Sequence, residues 1–220
     1  SGAVHLVCEE EQQAIESARS VLNLLPVNNL SQPPMFEGGE NAVAITAQTA
    51  GRALIEAIAD AGSSIELQPE FAPCVLTALA TVGGTVAGLV ATDPSYSSEI
   101  CANGAVKAAR FVRMCDAFNI PIITFVDTKG FQATADAELA GSIREIAKLA
   151  HAYAEATTAK ISVVTGEAYG SAYVVFAGKN ANADLSLAWE SASISALQPE
   201  TAVELFWHDR LKGVDDLAQA

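Results

Sequence analysis

Two stretches of this chain, IITFVDTKGF at 122–131 and ISVVTGEAYGSAY at 161–173, repeat one device. Each is an apolar strand, then a turn carrying glycine, then the start of a helix, which in the first copy is expected from about Ala137. Glycine lets a backbone come close to a ligand, and the first N–H groups of a helix lack intrahelical acceptors and carry partial positive charge. The chemistry that suits such a turn is stabilisation of a developing oxyanion by peptide N–H groups. The backbone positions concerned are Gly130 and Phe131 in the first turn, and Gly170, Ser171 and Ala172 in the second.

Side chains offer less. His5, His151 and His208 are far apart in sequence, in a tail, on a helix and near the end of the chain. Ser171 sits in YGSAY, which lacks the second glycine of a nucleophile elbow. Metal-ligand spacing and a phosphate-cradling loop are both absent from the sequence. Asp127, Lys129 and Glu138 surround the first turn and Glu167 lies in the second; Asp127 is expected to satisfy turn N–H groups and the others to be solvated. Backbone chemistry is what remains.

The elements that must position these turns can be read in order. Residues 9–25 are expected to form a helix with Ala14, Ile15, Ala18, Val21, Leu22 and Leu25 on one face, stopped by Pro26. The Pro- and Gly-rich segment 27–41 reads as a linker, so residues 1–41 are expected to be a helix and linker belonging to a preceding domain, with the main domain at 42–220. A helix over 49–61 should bury Leu54, Ile55, Ile58 and Ala59, with Gly62 at its C′ position. Two apolar runs flank Gly83-Gly84 and predict a hairpin, followed by a loop over 94–104.

A helix over 104–119, with Val106, Ala109, Val112, Arg113 and Cys115 as its periodic positions, runs into the strand at 122–127. The near-continuous apolar character of that strand predicts burial on both faces, as in a parallel sheet or a stacked spiral. The longest helix is expected over 137–157, burying Leu139, Ile143, Ile146, Ala147, Ala150, Tyr153 and Ala154, and the strand 160–165 follows it. Beyond Phe176 come a turn at 178–182, short strands at 184–188 and 193–197, and a last helix over 199–211. Alternating strands and helices define an α/β domain with parallel strands.

Composition narrows the functions. Of 220 residues half are hydrophobic and only 17% charged, so an extended core is expected, with close helix packing or a substantial subunit interface, and a homo-oligomer or an obligate partner. A net charge of −14 without any basic run argues against nucleic acid and against an anionic membrane surface. Twelve Lys and Arg also equip the chain poorly to hold a polyphosphate alone. The four scattered cysteines, with no signal peptide and no apolar run long enough to span a bilayer, predict a cytoplasmic protein with reduced thiols. Ser1 in place of an initiating methionine predicts a processed chain or a piece of a longer one.

Longer runs then add a family. KAARFVRMCDAFNIPIITFVD at 107–127, GF at 130–131 and REIAKLAHAYAEATTAKISVVTGEAYGSAY at 144–173 resemble the C-terminal half of biotin-dependent acyl-CoA carboxyltransferases. These are the beta subunits of propionyl- and acetyl-CoA carboxylases and the related subunits of methylmalonyl-CoA and glutaconyl-CoA decarboxylases. The likeness extends through IELQPEFA and GGTVAGLVATDP upstream and AWESASISAL downstream, and SGAVHL with the helix ending in LLP resembles the tail of the family's N-terminal half.

The resemblance implies an α/β crotonase-like fold, a spiral of ββα units, in which CO2 moves between carboxybiotin and an acyl-CoA. Peptide N–H groups stabilise both oxyanions, and no metal is used. It implies three partners: an N-terminal carboxyltransferase half that holds the acyl-CoA, a biotin carboxyl carrier protein, and further copies of the subunit. By this match the N–H groups of Ser171 and Ala172 hold the biotin ureido oxygen. Gly170 and Val174 fall in the same cofactor pocket, and Gly130 and Phe131 shape it.

Four positions depart from the family pattern: Lys129 stands for a proline, Ser171 for the second of two glycines, Val174 for an acidic residue, and Leu197-Gln198 for a Met-Gly pair. They leave two other readings open. One is a non-catalytic assembly subunit; the other is a stand-alone crotonase-type acyl-CoA hydrolase or isomerase.

Overall fold

A computed structural model describes residues 1–39, 43–46, 48–176, 178 and 183–211, with backbone alone at 208–211. Its centre is a seven-stranded sheet that changes from antiparallel to parallel part-way across. Strands β1 (Ile65–Leu67), β2 (Val75–Val82) and β3 (Thr85–Thr92) are antiparallel neighbours. The hairpin predicted between β2 and β3 is present: Gly83 (φ 57°) and Gly84 (φ 80°) supply the two consecutive positive φ angles that a two-residue primed turn requires.

Beyond β3 the chain crosses over through α3 (Ala102–Ala117) to β5 (Ile122–Thr128), and through α5 (Ser142–Glu155) to β7 (Lys160–Tyr169). Strands β3, β5 and β7 are parallel neighbours. Strands β8 (Leu185–Ala188) and β9 (Ser193–Ser195) both pair with β7, also in parallel. A crossover through a helix is what a parallel pair needs.

Each face of the sheet has its own core, and strand alternation sorts the side chains between them. Leu76, Ala78, Ala80, Ala87, Leu89, Ala91 and Phe125 meet Leu54 and Ile55 of α2 (Gly51–Ile58). Val75, Leu79, Val86, Val90, Ile122, Val126 and Val164 meet Phe111, Val112 and Cys115 of α3 and Leu149, Ala152 and Tyr153 of α5. The α3 helix comes so near the sheet that a Cβ on Gly88 would lie 2.5 Å from Cys115 Sγ and 3.1 Å from the Phe111 ring.

Several expected elements are differently bounded. The helix placed at 137–157 is two: α4 (Ala135–Leu139) and α5, separated by Gly141 in the left-handed region (φ 81°). The buried stripe is rotated accordingly, to Leu149, Ala152, Tyr153 and Ala156, while Leu139 and Ile143 are 87% and 70% exposed. In α2, Ala59 leaves the helix in extended conformation, so Gly62 turns the chain (φ 73°) without capping the helix. The loop at 94–104 contains a short strand, β4 (Glu99–Ile100), and ends in the start of α3. The strand expected at 160–165 runs on to Tyr169, because residues 165–167 are absorbed as an irregularity in the ladder. Val126 faces Val164 and Thr128 faces Ala168, so β7 carries two extra residues there.

The N-terminal piece is a helix, α1 (Glu11–Leu24), as expected, but its face is not buried: Ile15 is 40% and Leu22 66% exposed, and Leu24 is its one buried residue. The segment nevertheless rests on the main body. Gln68 donates from its backbone N–H to His5 O and from Nε2 to Gly2 O, and Phe36 N–H donates to Gly84 O. The short strands and last helix fall where the sequence placed them, with α7 spanning Pro199–Leu211. The turn expected at 178–182 lies, apart from Gly178, outside the described residues.

Candidate active site

The carboxyl ends of β5 and β7 are adjacent because the strands pair in parallel, so the two glycine turns emerge side by side. The first does not hand over directly to a helix. Lys129 N–H donates to Ser98 O at 2.8 Å, and β6 (Gly130–Phe131) pairs in parallel with β4 before α4 begins. Thr128 fixes the bend: its Oγ1 donates to Ser98 O at 2.9 Å and accepts from Gly130 N–H at 3.2 Å. Gly130 has φ 133°, a conformation that other residues rarely adopt.

The second turn is sharper. Gly170, with φ 60° and ψ −139°, links β7 to the short helix α6 (Ser171–Val175). That combination is open in practice to glycine alone. Its N–H donates to Ser195 O of β9 at 2.9 Å, so Gly170 acts on the direction of the chain. Ser171 and Ala172, as the first residues of α6, carry N–H groups with no preceding helical turn to accept them. Ser171 is exposed and Ala172 is buried, which puts this helix start at the surface with its second residue anchored below.

The two turns touch. A Cβ on Gly130 would lie 3.8 Å from Tyr169 O. Phe131 stacks on Phe176, just past α6, with ring centroids 6.1 Å apart, and Phe176 meets the buried Tyr153 edge-on at 6.3 Å. Tyr153 OH in turn lies 2.8 Å from Thr124 Oγ1 on β5. Gln198 Nε2 donates to Lys129 O at 3.5 Å, bringing the start of α7 to the same edge. Val174, 49% exposed, lies further along α6.

Of the ionisable side chains expected to be solvated, Lys129 and Glu138 are exposed, but Glu167 is half-buried and accepts from Tyr169 OH at 3.3 Å. Asp127 Oδ1 accepts Glu167 N–H at 2.9 Å, which fills the expected role of satisfying a turn amide. A Cβ on Gly166 would collide with the Asp127 carboxylate, so any other residue there would push that side chain from its place. His151 is at the surface of α5, 3.0 Å from Glu155, and His5 contributes a backbone carbonyl far from these turns. The His208 side chain is outside the described residues. Among the described residues no cluster of His, Cys, Asp and Glu could hold a metal ion, and no helix is long and apolar enough to cross a membrane.

What sequence reasoning missed are the supports: Ser195 O behind Gly170, Phe176 behind Phe131, and Ser98 O behind Lys129. Each is a long-range partner with no local pattern to announce it.

Comparison with known proteins agrees with this architecture. The model of the carboxyl transferase domain family matches residues 1–216. The carboxyltransferase subunit of propionyl-CoA carboxylase from Haloferax mediterranei is 34% identical over 98% of this chain and 44% of its own length. The alpha subunit of methylmalonyl-CoA decarboxylase from Propionigenium modestum is 33% identical over 99% of this chain and 45% of its own. The solved hexameric transcarboxylase 12S, determined with methylmalonyl-coenzyme A, superposes with a TM-score of 0.89 at 34% identity, over 99% of this chain and 44% of that one. The chain thus spans less than half the length of the curated relatives it matches. The fold is the crotonase-like α/β fold of these carboxyltransferases, and the chain belongs to the carboxyl transferase domain family.

Proposed function

We propose that this chain is the biotin-facing half of a biotin-dependent acyl-CoA carboxyltransferase, working in the carboxylating or the decarboxylating direction. The observation that carries the reading is the juxtaposition of the Gly130–Phe131 turn with the end of β7, beside a helix that begins at the exposed Ser171. Biotin on a carrier protein would supply the carboxyl-carrying chemistry when held at this turn by the N–H groups of Ser171 and Ala172. The donor set suits the ureido oxygen of such a group. It is made of neutral peptide N–H groups, which stabilise a developing negative charge without a proton of their own to lose at neutral pH.

In this reading Ser171 and Ala172 N–H hold the oxygen and Gly170 aims them. Gly130 and Phe131 wall the pocket and Val174 borders it. Phe131, backed by Phe176, helps to exclude water from one side. The acyl-CoA belongs to the other half of the subunit, in keeping with only twelve Lys and Arg in 220 residues. On the same reading residues 1–41 complete that preceding half. The largely exposed α1 and the exposed Leu205, Phe206 and Trp207 of α7 are surfaces for it and for further copies of the subunit. Four free cysteines fit a reducing, cytoplasmic setting.

The test is carboxyl exchange. The chain, combined with its CoA-binding half and a biotinylated carrier, is expected to transfer label between malonyl- or methylmalonyl-CoA and the carrier. No exchange, with both partners shown to be competent, would remove the reading. Ser171, whose side chain stands where the family has glycine, favours a second reading, an assembly subunit without activity. Amide shifts confined to 170–172 on adding biotin would count against it.

A further inference from the structure

Cys74, at the entry to β2, and Cys101, the residue that begins α3, come from segments 27 residues apart, and their sulfur atoms lie 3.4 Å apart. Both are free thiols; Cys74 is buried and Cys101 half-buried. The approach depends on Gly104, where a Cβ would lie 2.9 Å from Cys74 Sγ. We propose that Cys74 and Cys101 form a redox-active dithiol, a modification site that a hydroperoxide closes to a disulfide.

The two thiols are unequal in a way that assigns their roles. The hydrogen bond that Cys101 shares with the Cys74 thiol, with the N–H groups of Gly104 and Asn103 at the start of α3, holds Cys101 below the ordinary thiol value against the opposing effect of burial. Cys74 is pushed up by that same hydrogen bond and by burial. Cys101, the more accessible, is therefore the thiolate that attacks. Its sulfur displaces hydroxide from hydrogen peroxide and becomes a sulfenic acid; the hydroxide takes up a proton as water. The Cys74 sulfur then attacks the Cys101 sulfur, forming the S–S bond and expelling a second water with the Cys74 proton. Both cysteines are oxidised, and one peroxide is reduced to two waters.

The bond requires the sulfurs to close from 3.4 Å to about 2 Å. Cys101 directly follows β4, whose residues Glu99 and Ile100 pair with Gly130 and Phe131. Closure therefore pulls on the strand that backs the candidate site. This second consequence rests on the function proposed above, whereas the dithiol chemistry does not.

The experiment exposes the full chain to hydrogen peroxide and maps peptides by mass spectrometry without reduction, alongside Cys74→Ser and Cys101→Ser. Serine begins a helix well, so Cys101→Ser is expected to fold. The expected result is a linked pair of peptides containing Cys74 and Cys101, lighter by two hydrogens, restored by dithiothreitol and missing from both variants, while Cys115 stays reduced. Sulfinic acid at Cys101 without a link, or two thiols that stay titratable, overturns the proposal. Hydrogen exchange at 130–131 is expected to change on oxidation in the parent chain and to stay the same in Cys101→Ser. If it does not change in the parent, the coupling to the site is wrong, whatever the carboxyl-exchange assay reports.

Discussion

Gly130 lies beside the carbonyl of Tyr169, near enough that a Cβ on it would sit 3.8 Å from that oxygen, so the turn that leaves one strand runs alongside the end of its neighbour. Parallel pairing of β5 and β7 brings the two strand ends together, and the two extra residues of β7 set how far its end reaches before Gly170 turns it into α6. The result is an edge where backbone from two devices meets, with the Asp127 carboxylate tying the strand ends together through Glu167 N–H. The proposed oxyanion site is tested most directly by removing single N–H groups.

Proline at position 171 does this with little cost to the fold. The first position of a helix tolerates proline, since its N–H has no intrahelical acceptor. In the exchange assay Ser171→Pro is expected to lower kcat/KM by about 100- to 1,000-fold, the usual effect of losing one oxyanion donor. The melting temperature should stay close to that of the parent. Ser171→Gly keeps the N–H and widens the approach, so it should match or exceed the parent rate. Equal rates for the proline variant and the parent would exclude Ser171 N–H from the site.

Gly170→Ala separates backbone strain from crowding. A Cβ there would lie an ordinary 3.5 Å from Ala196 O, so the penalty comes from φ 60° and ψ −139°. Such conformations cost about 1–3 kcal/mol in a residue with a side chain. Urea unfolding of Gly170→Ala is expected to show a loss of that size. An unchanged midpoint would mean that the turn relaxes and does not need glycine.

The strands, hairpin and parallel order were legible because local signals carry them: Gly83-Gly84 between apolar runs, and near-continuous apolar character over 122–126, broken only by Thr124. The two glycine turns were legible for the same reason. The break between α4 and α5 was not, since residues 137–157 keep a helical period straight through Gly141 and its left-handed φ is set by tertiary placement. Lys107 was missed for the opposite reason. Periodicity assigns a lysine outward, yet it is 1% exposed, because its ammonium is needed by carbonyls of a distant loop. The apolar spacing of α1 marks a helix, but only Leu24, with Val21 and Leu25 beside it, packs on the core, while Ile15 and Leu22 are exposed.

Asp60 holds the β2–β3 hairpin. Its Oδ1 accepts Gly83 N–H at 3.0 Å and its Oδ2 accepts Gly84 N–H at 2.8 Å. Hydrogen bonds from the Thr81 side chain first, then Gly84, Gly83 and Gly39, lower its pKa against the opposing effect of burial. Asp60→Ala is expected to cost about 2 kcal/mol, within the range for bonds to a charged group. A lowered carboxyl pKa gives stability that is present above the ordinary value of 3.8 and is lost as pH falls through the folded value. The gap between parent and variant should therefore shrink in acid below pH 3.8. A gap that persists there would mean that the carboxylate charge is not what stabilises the turn.

Lys107 predicts a slope of the same sign at alkaline pH. Its Nζ donates to Gln68 O at 2.8 Å and Phe71 O at 2.9 Å, bracing a loop in which Gln68 (φ 56°) and Ala72 (φ 45°) both occupy the left-handed region. Lys107→Met leaves both carbonyls without this donor and should cost about 2 kcal/mol at neutral pH. Burial, the largest influence, pulls the amine from 10.5 down to about 8. Between those values the unfolded chain holds a proton that the folded chain has lost, so the lysine's contribution to stability rises with pH. The advantage of the parent over Lys107→Met, measured by urea unfolding, is therefore expected to widen from pH 8 to 10.5. A gap that narrows over that range would show that the folded state prefers the charged amine, and that the two carbonyls outweigh its burial.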